Sequence, residues 1–226
     1  IPFSLISWSE IYIKSNTAGL LLSIAPILTL IFSHFMTKND KFTFIKFLSI
    51  LIGLLGVLLI FGFDSIINFS LNSSNNLVPK IAILISALGY VLSSIFAFKL
   101  YKIDIVTLTT FVTVFAAIIS LPFLLYVEYN FKSNFNFFII FPLIYLGIFP
   151  TAIAFLIRFY IIAKAGPIFL SYVAYLIPVF AILWGYIFLK ETINLNTFIG
   201  VILVLLGVFI SQSKLVTEIT NKSINN

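Results

Sequence analysis

Residues 167–189 read PIFLSYVAYLIPVFAILWGYIFL, and this stretch decides the fold. It contains no charged side chain. A helix rises about 1.5 Å per residue, so a stretch of this length crosses the roughly 30 Å hydrocarbon core of a bilayer. A strand of a membrane barrel would alternate apolar and polar residues, which this stretch does not do. It therefore predicts a transmembrane helix with Pro178 in its middle.

Apolar runs of this kind recur along the whole chain. Of its 226 residues, 62% are hydrophobic and 9% are charged, and the mean hydropathy is +1.20. Soluble domains are about 45–50% apolar and about 25% charged, so the solvent of this chain is a bilayer. An all-α membrane protein is predicted, because helices satisfy their own backbone hydrogen bonds in lipid. A partial helix at 1–13 precedes seven predicted spans, at 18–36, 45–63, 81–98, 105–127, 137–160, 167–189 and 195–211.

The segments between the spans predict the topology. Residues 64–80 are interpreted as a linker, and residues 212–226 as a disordered polar tail. Basic residues are more frequent in loops on the cytoplasmic side, so we expect a multi-pass protein of the cell membrane, a bacterial inner membrane, with a cytoplasmic C-terminus. The lysines on the predicted cytoplasmic side are Lys38, Lys41, Lys46, Lys99, Lys102, Lys164, Lys214 and Lys222, against Lys14, Lys80, Lys132 and Lys190 outside.

Composition excludes several classes of function. Because the chain has no cysteine, it has no disulfide and no thiolate metal site. One histidine makes a zinc site or a Ser-His-Asp triad implausible, and no P-loop sequence is present. The net charge is +6, but the lysines are scattered between apolar runs and do not indicate nucleic-acid binding. The predicted partners are the lipid bilayer and a small-molecule substrate, with no cofactor and no metal; the oligomeric state stays open.

An internal repeat relates the two ends of the chain. Its markers are the pairs Pro26 and Pro178, Asp40 and Glu191, Gly56 and Gly207, with Pro2 and Tyr12 matching Pro150 and Tyr160. Five crossings, an odd number, separate the copies, so they insert in opposite orientations. Inverted repeats of this kind are typical of secondary transporters. We expect an inverted repeat of five-helix bundles, of which this chain contains about two and a half helices of the first copy and all five of the second.

These residues resemble the EamA repeat of the drug/metabolite transporter superfamily. The second copy carries Phe149-Pro-Thr-Ala-Ile-Ala-Phe-Leu, Ala165-Gly-Pro, Tyr175-Leu-Ile-Pro-Val-Phe-Ala, Phe188-Leu-Lys-Glu, Gly200 and Gly207-Val208. The first carries Trp8-Ser-Glu-Ile-Tyr-Ile, Ala18-Gly-Leu-Leu and Ala25-Pro-Ile, with Asn39-Asp40 where the family usually has Gly-Glu. The resemblance assigns 1–63 to the first repeat and 81–211 to the second. It implies ten helices, cytoplasmic termini and transport of amino acids, nucleobases, nucleotide-like metabolites or drugs.

Two prolines occupy matching positions in the middle of two spans. Pro26 and Pro178 each lack a backbone N–H, so we expect each to kink its helix and free the carbonyl four residues earlier. Paired broken helices indicate a binding site in transporters. The alternative is a structural kink whose free carbonyl is satisfied by neighbouring helices.

Two ionisable residues fall within the predicted helices. Glu10 and Arg158 occupy equivalent positions in the two repeats, and charges inside spans usually face a cavity or a partner. We interpret both as candidates for substrate recognition, with Glu10 also a candidate for proton coupling. The alternatives are that Arg158 extends to the headgroups and that Glu10 forms an ion pair with Lys14.

Aromatic and small residues complete the candidates. Trp8, Tyr90, Tyr172 and Tyr175 are candidates for stacking on or hydrogen bonding to a planar substrate, although aromatic residues also serve as ordinary packing and interfacial residues. Helix packing, and no ligand, is predicted for the faces of small residues formed by Ser49, Gly53 and Gly56 and by Gly200 and Gly207.

The sequence favours a secondary carrier that works by alternating access through a site between the repeats. The first alternative is an integral membrane enzyme acting on a lipid-linked substrate, but the clustered histidines or carboxylates that such an enzyme requires are missing. The second alternative is a membrane subunit that does not transport.

Overall fold

The computed structural model describes residues 2–38, 42–62, 77–100, 102–131, 137–190 and 192–224. Within these ranges the regular structure is helical, so the predicted all-α class is confirmed. The elements are α1 (Pro2–Ser9), α2 (Ser15–Leu22), α3 (Ala25–Met36), α4 (Phe44–Phe61), α5 (Leu77–Lys99), α6 (Ile105–Phe131), α7 (Phe137–Leu146), a π-helical segment (Gly147–Ile153), α8 (Ala154–Ala165), α9 (Pro167–Ser171), α10 (Val173–Leu189) and α11 (Leu195–Ile224).

Six helical stretches among the described residues are long and apolar enough to cross a membrane, which makes the protein multi-pass. They are Thr17–Met36, Phe44–Phe61, Leu77–Lys99, Ile105–Phe123, Ile140–Ala165 and Pro167–Phe188. The seventh predicted span corresponds to Leu195–Ser211, which is apolar but shorter. Each predicted span therefore has a helical counterpart, although α2 and α3, and α9 and α10, divide two of them.

The boundaries differ from prediction in three places. The partial helix predicted at 1–13 ends at Ser9, whose carbonyl accepts hydrogen bonds from the N–H groups of Tyr12 and Ile13 at 2.9 and 3.0 Å and closes a turn. The predicted linker ends early, because α5 begins at Leu77; residues 63–76 lie outside the described residues. The predicted tail overlaps α11, which continues to Ile224 through a stretch without glycine or proline.

The helices form two compact units, Ile1–Phe96 with Ala165–Asn226, and Ala97–Lys164. In the second unit, Asp104 directly precedes α6, and its carboxylate accepts hydrogen bonds from the N–H of Thr107 at 3.0 Å and from its hydroxyl at 3.3 Å. The Thr107 N–H hydrogen bond lowers the pKa of Asp104 below its usual value. The π-helical segment contains Pro150, which lacks an N–H for the carbonyl of Leu146. The hydroxyl of Thr151 donates to that carbonyl instead, at 2.9 Å.

In the first unit, α4 and α11 pack closely along a seam of small residues. This glycine seam consists of Ser49, Gly53 and Gly56 on α4 and Gly200 and Gly207 on α11. A Cβ at Gly56 would lie 2.6 Å from the Gly200 carbonyl oxygen, and one at Gly207 would lie 2.6 Å from the Ser49 carbonyl oxygen. The helices are thus antiparallel, and the backbones approach as they can only where side chains are absent. The predicted packing faces are confirmed, and they face each other.

The contacts along the glycine seam are symmetric. Ser49 and Gly200 are 151 residues apart, as are Gly56 and Gly207. Exchanging each residue for its counterpart converts the contact between Gly56 and Gly200 into the contact between Gly207 and Ser49. The seam therefore carries a local two-fold relation between the C-terminal helices of the two predicted repeats.

Two apolar clusters surround this seam and the first helices. The cluster at the seam joins α3, α4, α9, α10 and α11 through Leu30, Ile50, Val57, Ile168, Tyr172, Tyr175 and Val204. The other joins α2, α5 and the turn after α1 through Ile13, Ala18, Leu21 and Ile83. The start of α1 also lies on α5, where the hydroxyl of Ser86 donates to the Pro2 carbonyl at 3.1 Å.

Candidate functional site

The span that carries Pro26 is interrupted just before the proline. Helix α2 ends at Leu22 and α3 begins at Ala25, with Pro26 buried in its first turn. Between them the N–H of Ile24 donates to the Leu21 carbonyl at 3.3 Å, a bond over three residues instead of four. The hydroxyl of buried Ser23 donates to the Leu20 carbonyl at 2.6 Å. Such bonding to the preceding turn is known to bend helices.

The span that carries Pro178 is interrupted at Tyr172, between α9 and α10. The N–H of Tyr172 donates to the Phe169 carbonyl at 3.3 Å, and the N–H of Tyr175 donates to the Tyr172 carbonyl at 3.0 Å. The hydroxyl of Ser171 donates to the Ile168 carbonyl at 2.6 Å, as Ser23 does in the first repeat. Both spans are thus broken on the N-terminal side of a buried proline.

Tyr172 joins this junction to α4. Its side chain is 2% exposed, and its hydroxyl forms a hydrogen bond of 2.6 Å with the hydroxyl of Ser49. Ser49 also donates to the carbonyl of Lys46 at 2.8 Å, and that carbonyl lies 3.5 Å from the Tyr172 hydroxyl. The contact joins residues 123 positions apart in the sequence. It ties the second predicted repeat to the first through a buried polar group.

Tyr175 lies beside Tyr172 and packs against the glycine seam. The two rings are 6.2 Å apart and meet edge to face at 71°. A Cβ at Gly53 would lie 2.6 Å from the Tyr175 ring, so only glycine leaves room for this side chain. Tyr175 is fully buried, yet no described residue lies within hydrogen-bonding distance of its hydroxyl.

The structure brings together two of the six predicted binding residues, Tyr172 and Tyr175. Tyr90 on α5 contacts Phe3 of α1 edge to face at 5.8 Å, and Trp8 packs at 5.2 Å on Tyr12. Neither of these ring contacts includes Tyr172 or Tyr175.

The two charged candidates are not equivalent in the structure. Glu10 lies in the exposed turn after α1, and its carboxylate has no hydrogen bond or ion pair with any described residue, Lys14 included. Glu10 thus directly follows α1 instead of lying inside a helix, and its N–H still donates to the Ile6 carbonyl at 3.0 Å. Arg158 lies in α8 of the second unit, half-buried, with its guanidinium 5.5 Å from the centre of the Phe155 ring. A cation over an aromatic face is a favourable local contact.

Ser49 and Gly53 are site residues that sequence reasoning assigned to packing alone. Their spacing of four residues shows that they share a face of α4, but it does not show which aromatic residue meets that face. The polar groups that contact the Tyr172 hydroxyl are the Ser49 hydroxyl and the Lys46 carbonyl.

The EamA-like transporter family matches residues 1–62 and 79–212. The chain belongs to this family. An uncharacterized transporter of Archaeoglobus fulgidus is 31% identical over 206 residues, which are 91% of this chain and 70% of that protein. The uncharacterized transporter YoaV of Bacillus subtilis is 24% identical over 201 residues, covering 88% of this chain and 67% of YoaV. This member of the EamA-like family thus spans about two thirds of the length of these relatives.

A solved structure shares the fold of this EamA-like chain. This crystal structure matches with a TM-score of 0.75 and 18% identity, and the match covers 94% of this chain and 73% of that one. The predicted EamA resemblance is confirmed by the family match. The family and the names of the relatives together point to a membrane transporter.

Proposed function

We propose that this EamA-like protein is a secondary transporter that moves a small organic metabolite by alternating access. The substrate classes that fit are an amino acid, a nucleobase or nucleotide-like compound, or a drug. The observation that carries the proposal is the pair of broken spans, each interrupted on the N-terminal side of a buried proline. The break lies directly before the turn that holds Pro26 in one span and six residues before Pro178 in the other. Discontinuous helices in both repeats are the arrangement that places a substrate site near the membrane midplane.

The glycine seam supports the inverted-repeat part of this proposal. Two repeats inserted in opposite orientations would place their last helices antiparallel and related by a two-fold axis. The exchange of Gly56 with Gly207 and of Ser49 with Gly200 is what such an axis would produce. Alternating access then requires the two repeats to move as units about contacts of this kind.

The proposed site is centred on the junction that holds Tyr172 and Tyr175. Aromatic rings and hydroxyls recognise a planar molecule through stacking and a few hydrogen bonds. Trp8, Glu10, Tyr90 and Arg158 are proposed as further binding residues on the basis of their sequence positions. We further propose that the protein lies in the cell membrane, a bacterial inner membrane, with its C-terminus in the cytoplasm.

The experiment that tests this function measures substrate flux in proteoliposomes. The purified chain is screened for counterflow of labelled amino acids, nucleobases, nucleosides and cationic drugs, with empty liposomes as the blank. Uptake of one class above the blank supports the proposal. Absence of flux for all classes by folded, correctly inserted protein contradicts it.

The same assay tests the role of the broken helix. Pro178→Ala restores one backbone hydrogen bond and should straighten the span, so we expect transport to fall several-fold while membrane insertion is retained. Pro122→Ala is the matched control, because Pro122 is also inside a helix but is exposed in the second unit. Equal transport by the two variants would mean that the break at Tyr172 does not depend on Pro178.

A further inference from the structure

Two buried tyrosines three residues apart differ in whether their hydroxyl groups are hydrogen-bonded. The hydroxyl of Tyr172 forms a 2.6 Å hydrogen bond with Ser49. The hydroxyl of Tyr175 is equally buried but has no partner among the described residues. A buried hydrogen bond stabilises the arrangement that contains it, whereas a buried unpaired hydroxyl destabilises it. One junction thus holds a group that favours the present packing and a group that opposes it.

Breaks in the helical backbone bound this junction on both sides of α9. Helix α9 has five residues and is bounded by a break at each end. At its start Gly166 has φ 88°, a left-handed conformation that favours glycine. At its end the backbone is interrupted at Tyr172. On one side α9 packs against α3, through the cluster that contains Ile168 and Leu30.

We propose that Ser49 and Tyr172 form a latch that holds the α9–α10 junction on α4 in the state seen here, and that the unpaired Tyr175 hydroxyl favours release. The proposal deepens the transport function proposed above and rests on it. When the junction separates from α4, the Ser49–Tyr172 hydrogen bond breaks and the Tyr175 hydroxyl reaches water or a polar substrate group. The latch thereby sets how often the junction opens.

The latch predicts opposite effects for two identical chemical changes. Tyr172→Phe and Tyr175→Phe each remove one phenolic oxygen and leave the ring that packs in the cluster. Tyr172→Phe should raise the open population roughly 2- to 12-fold, the equivalent of one net hydrogen bond. Tyr175→Phe should lower it roughly 5- to 150-fold, because it removes a buried unsatisfied hydroxyl. Each variant is the matched control of the other.

A single cysteine reports the opening. The chain has no cysteine of its own, and Ile168 on α9 is 1% exposed, so Ile168→Cys should react with a small maleimide only when the junction opens. We expect faster labelling in membranes with Tyr172→Phe and slower labelling with Tyr175→Phe. Ser49→Ala should shift the labelling rate in the same direction as Tyr172→Phe. The double variant should label no faster than Tyr172→Phe alone, because Tyr172→Phe already removes the hydroxyl that contacts both Ser49 and the Lys46 carbonyl.

A second measurement guards against a reporter that disturbs the fold. Backbone hydrogen exchange of residues 166–172 in the cysteine-free chain should change in the same two directions. Shifts of the same sign for both phenylalanine variants, or no shift in either, overturn the latch. Labelling and exchange require no substrate, so opposite shifts without any flux would contradict the transport function and keep the latch. Substrate flux together with unchanged labelling in both variants would support the transport function and contradict the latch.

Discussion

Replacing Gly56 with alanine is expected to push α4 and α11 apart. The added Cβ would lie 2.6 Å from the Gly200 carbonyl oxygen, 2.7 Å from the Val204 nitrogen and 2.8 Å from a Val204 methyl group. Ordinary contacts of a Cβ begin at 3.4 Å. The backbones must therefore separate locally by about 0.8 Å. A side-chain rotation cannot relieve the clash, because two of the three contacted atoms belong to the backbone.

The sign of the effect follows from two opposing terms. Alanine in place of a helical glycine gains about 0.5–1 kcal/mol from backbone entropy. Overpacking of a close-packed contact costs about 1–3 kcal/mol, and a clash with backbone falls at the upper end. The net loss is about 2 kcal/mol. For a chain of this size 1 kcal/mol corresponds to roughly 2–4 °C, so the midpoint should fall by about 4–8 °C.

The assay is thermal unfolding of purified protein in detergent. Gly147→Ala is the matched control, because a Cβ at Gly147 would meet no atom within 4 Å and should leave the midpoint unchanged or slightly raised. Gly207→Ala should reproduce the loss, since its Cβ would meet the Ser49 carbonyl oxygen at 2.6 Å. A Gly56→Ala protein as stable as the Gly147→Ala protein would refute the close approach of α4 and α11.

Two further predictions concern topology and charge. Cysteine at exposed Asn194 should react with an impermeant thiol reagent added to intact cells, and cysteine at exposed Lys102 should react only after permeabilisation; the reverse pattern would invert the proposed orientation. Glu10→Gln should leave the unfolding midpoint unchanged, because the carboxylate is exposed and has no partner among the described residues. If Glu10 takes part in coupling, that variant should also lose transport or its pH dependence, and wild-type transport with an unchanged pH profile would remove Glu10 from the site.

The spans could be predicted from the sequence because each depends on local apolar content. A run such as 167–189 is helical and membrane-spanning whatever its neighbours are. The break at Tyr172 was foreseen only approximately, from Pro178, since a proline disturbs the turn before it. The end of α1 at Ser9 was missed because Ile11, Tyr12 and Ile13 are apolar enough to continue a helix, and the burial of Ile13 against α5 is a tertiary effect.

The candidate site was predicted less completely. Tyr172 and Tyr175 were selected from their position before a proline, but their partners Ser49 and Gly53 lie more than a hundred residues away. No local pattern fixes which ring meets which glycine, because that depends on the register between α4 and α10. Lys14 is four residues after Glu10, a spacing that favours an ion pair on a helix. Residues 10–14 do not form a helix, so this spacing does not bring the two side chains together.

The π-helical segment at Gly147–Ile153 changes how mutations should be transferred between the two halves of the chain. Each residue that a wider turn accommodates beyond the α-helical repeat rotates everything after it by about 100° around the axis. Arg158 follows that segment. The direction in which its side chain leaves the helix therefore cannot be inferred from the direction of the equivalent residue on α1. Engineering that imposes two-fold symmetry on this scaffold must therefore match residues by direction, not by distance along the chain from Pro2 or Pro150.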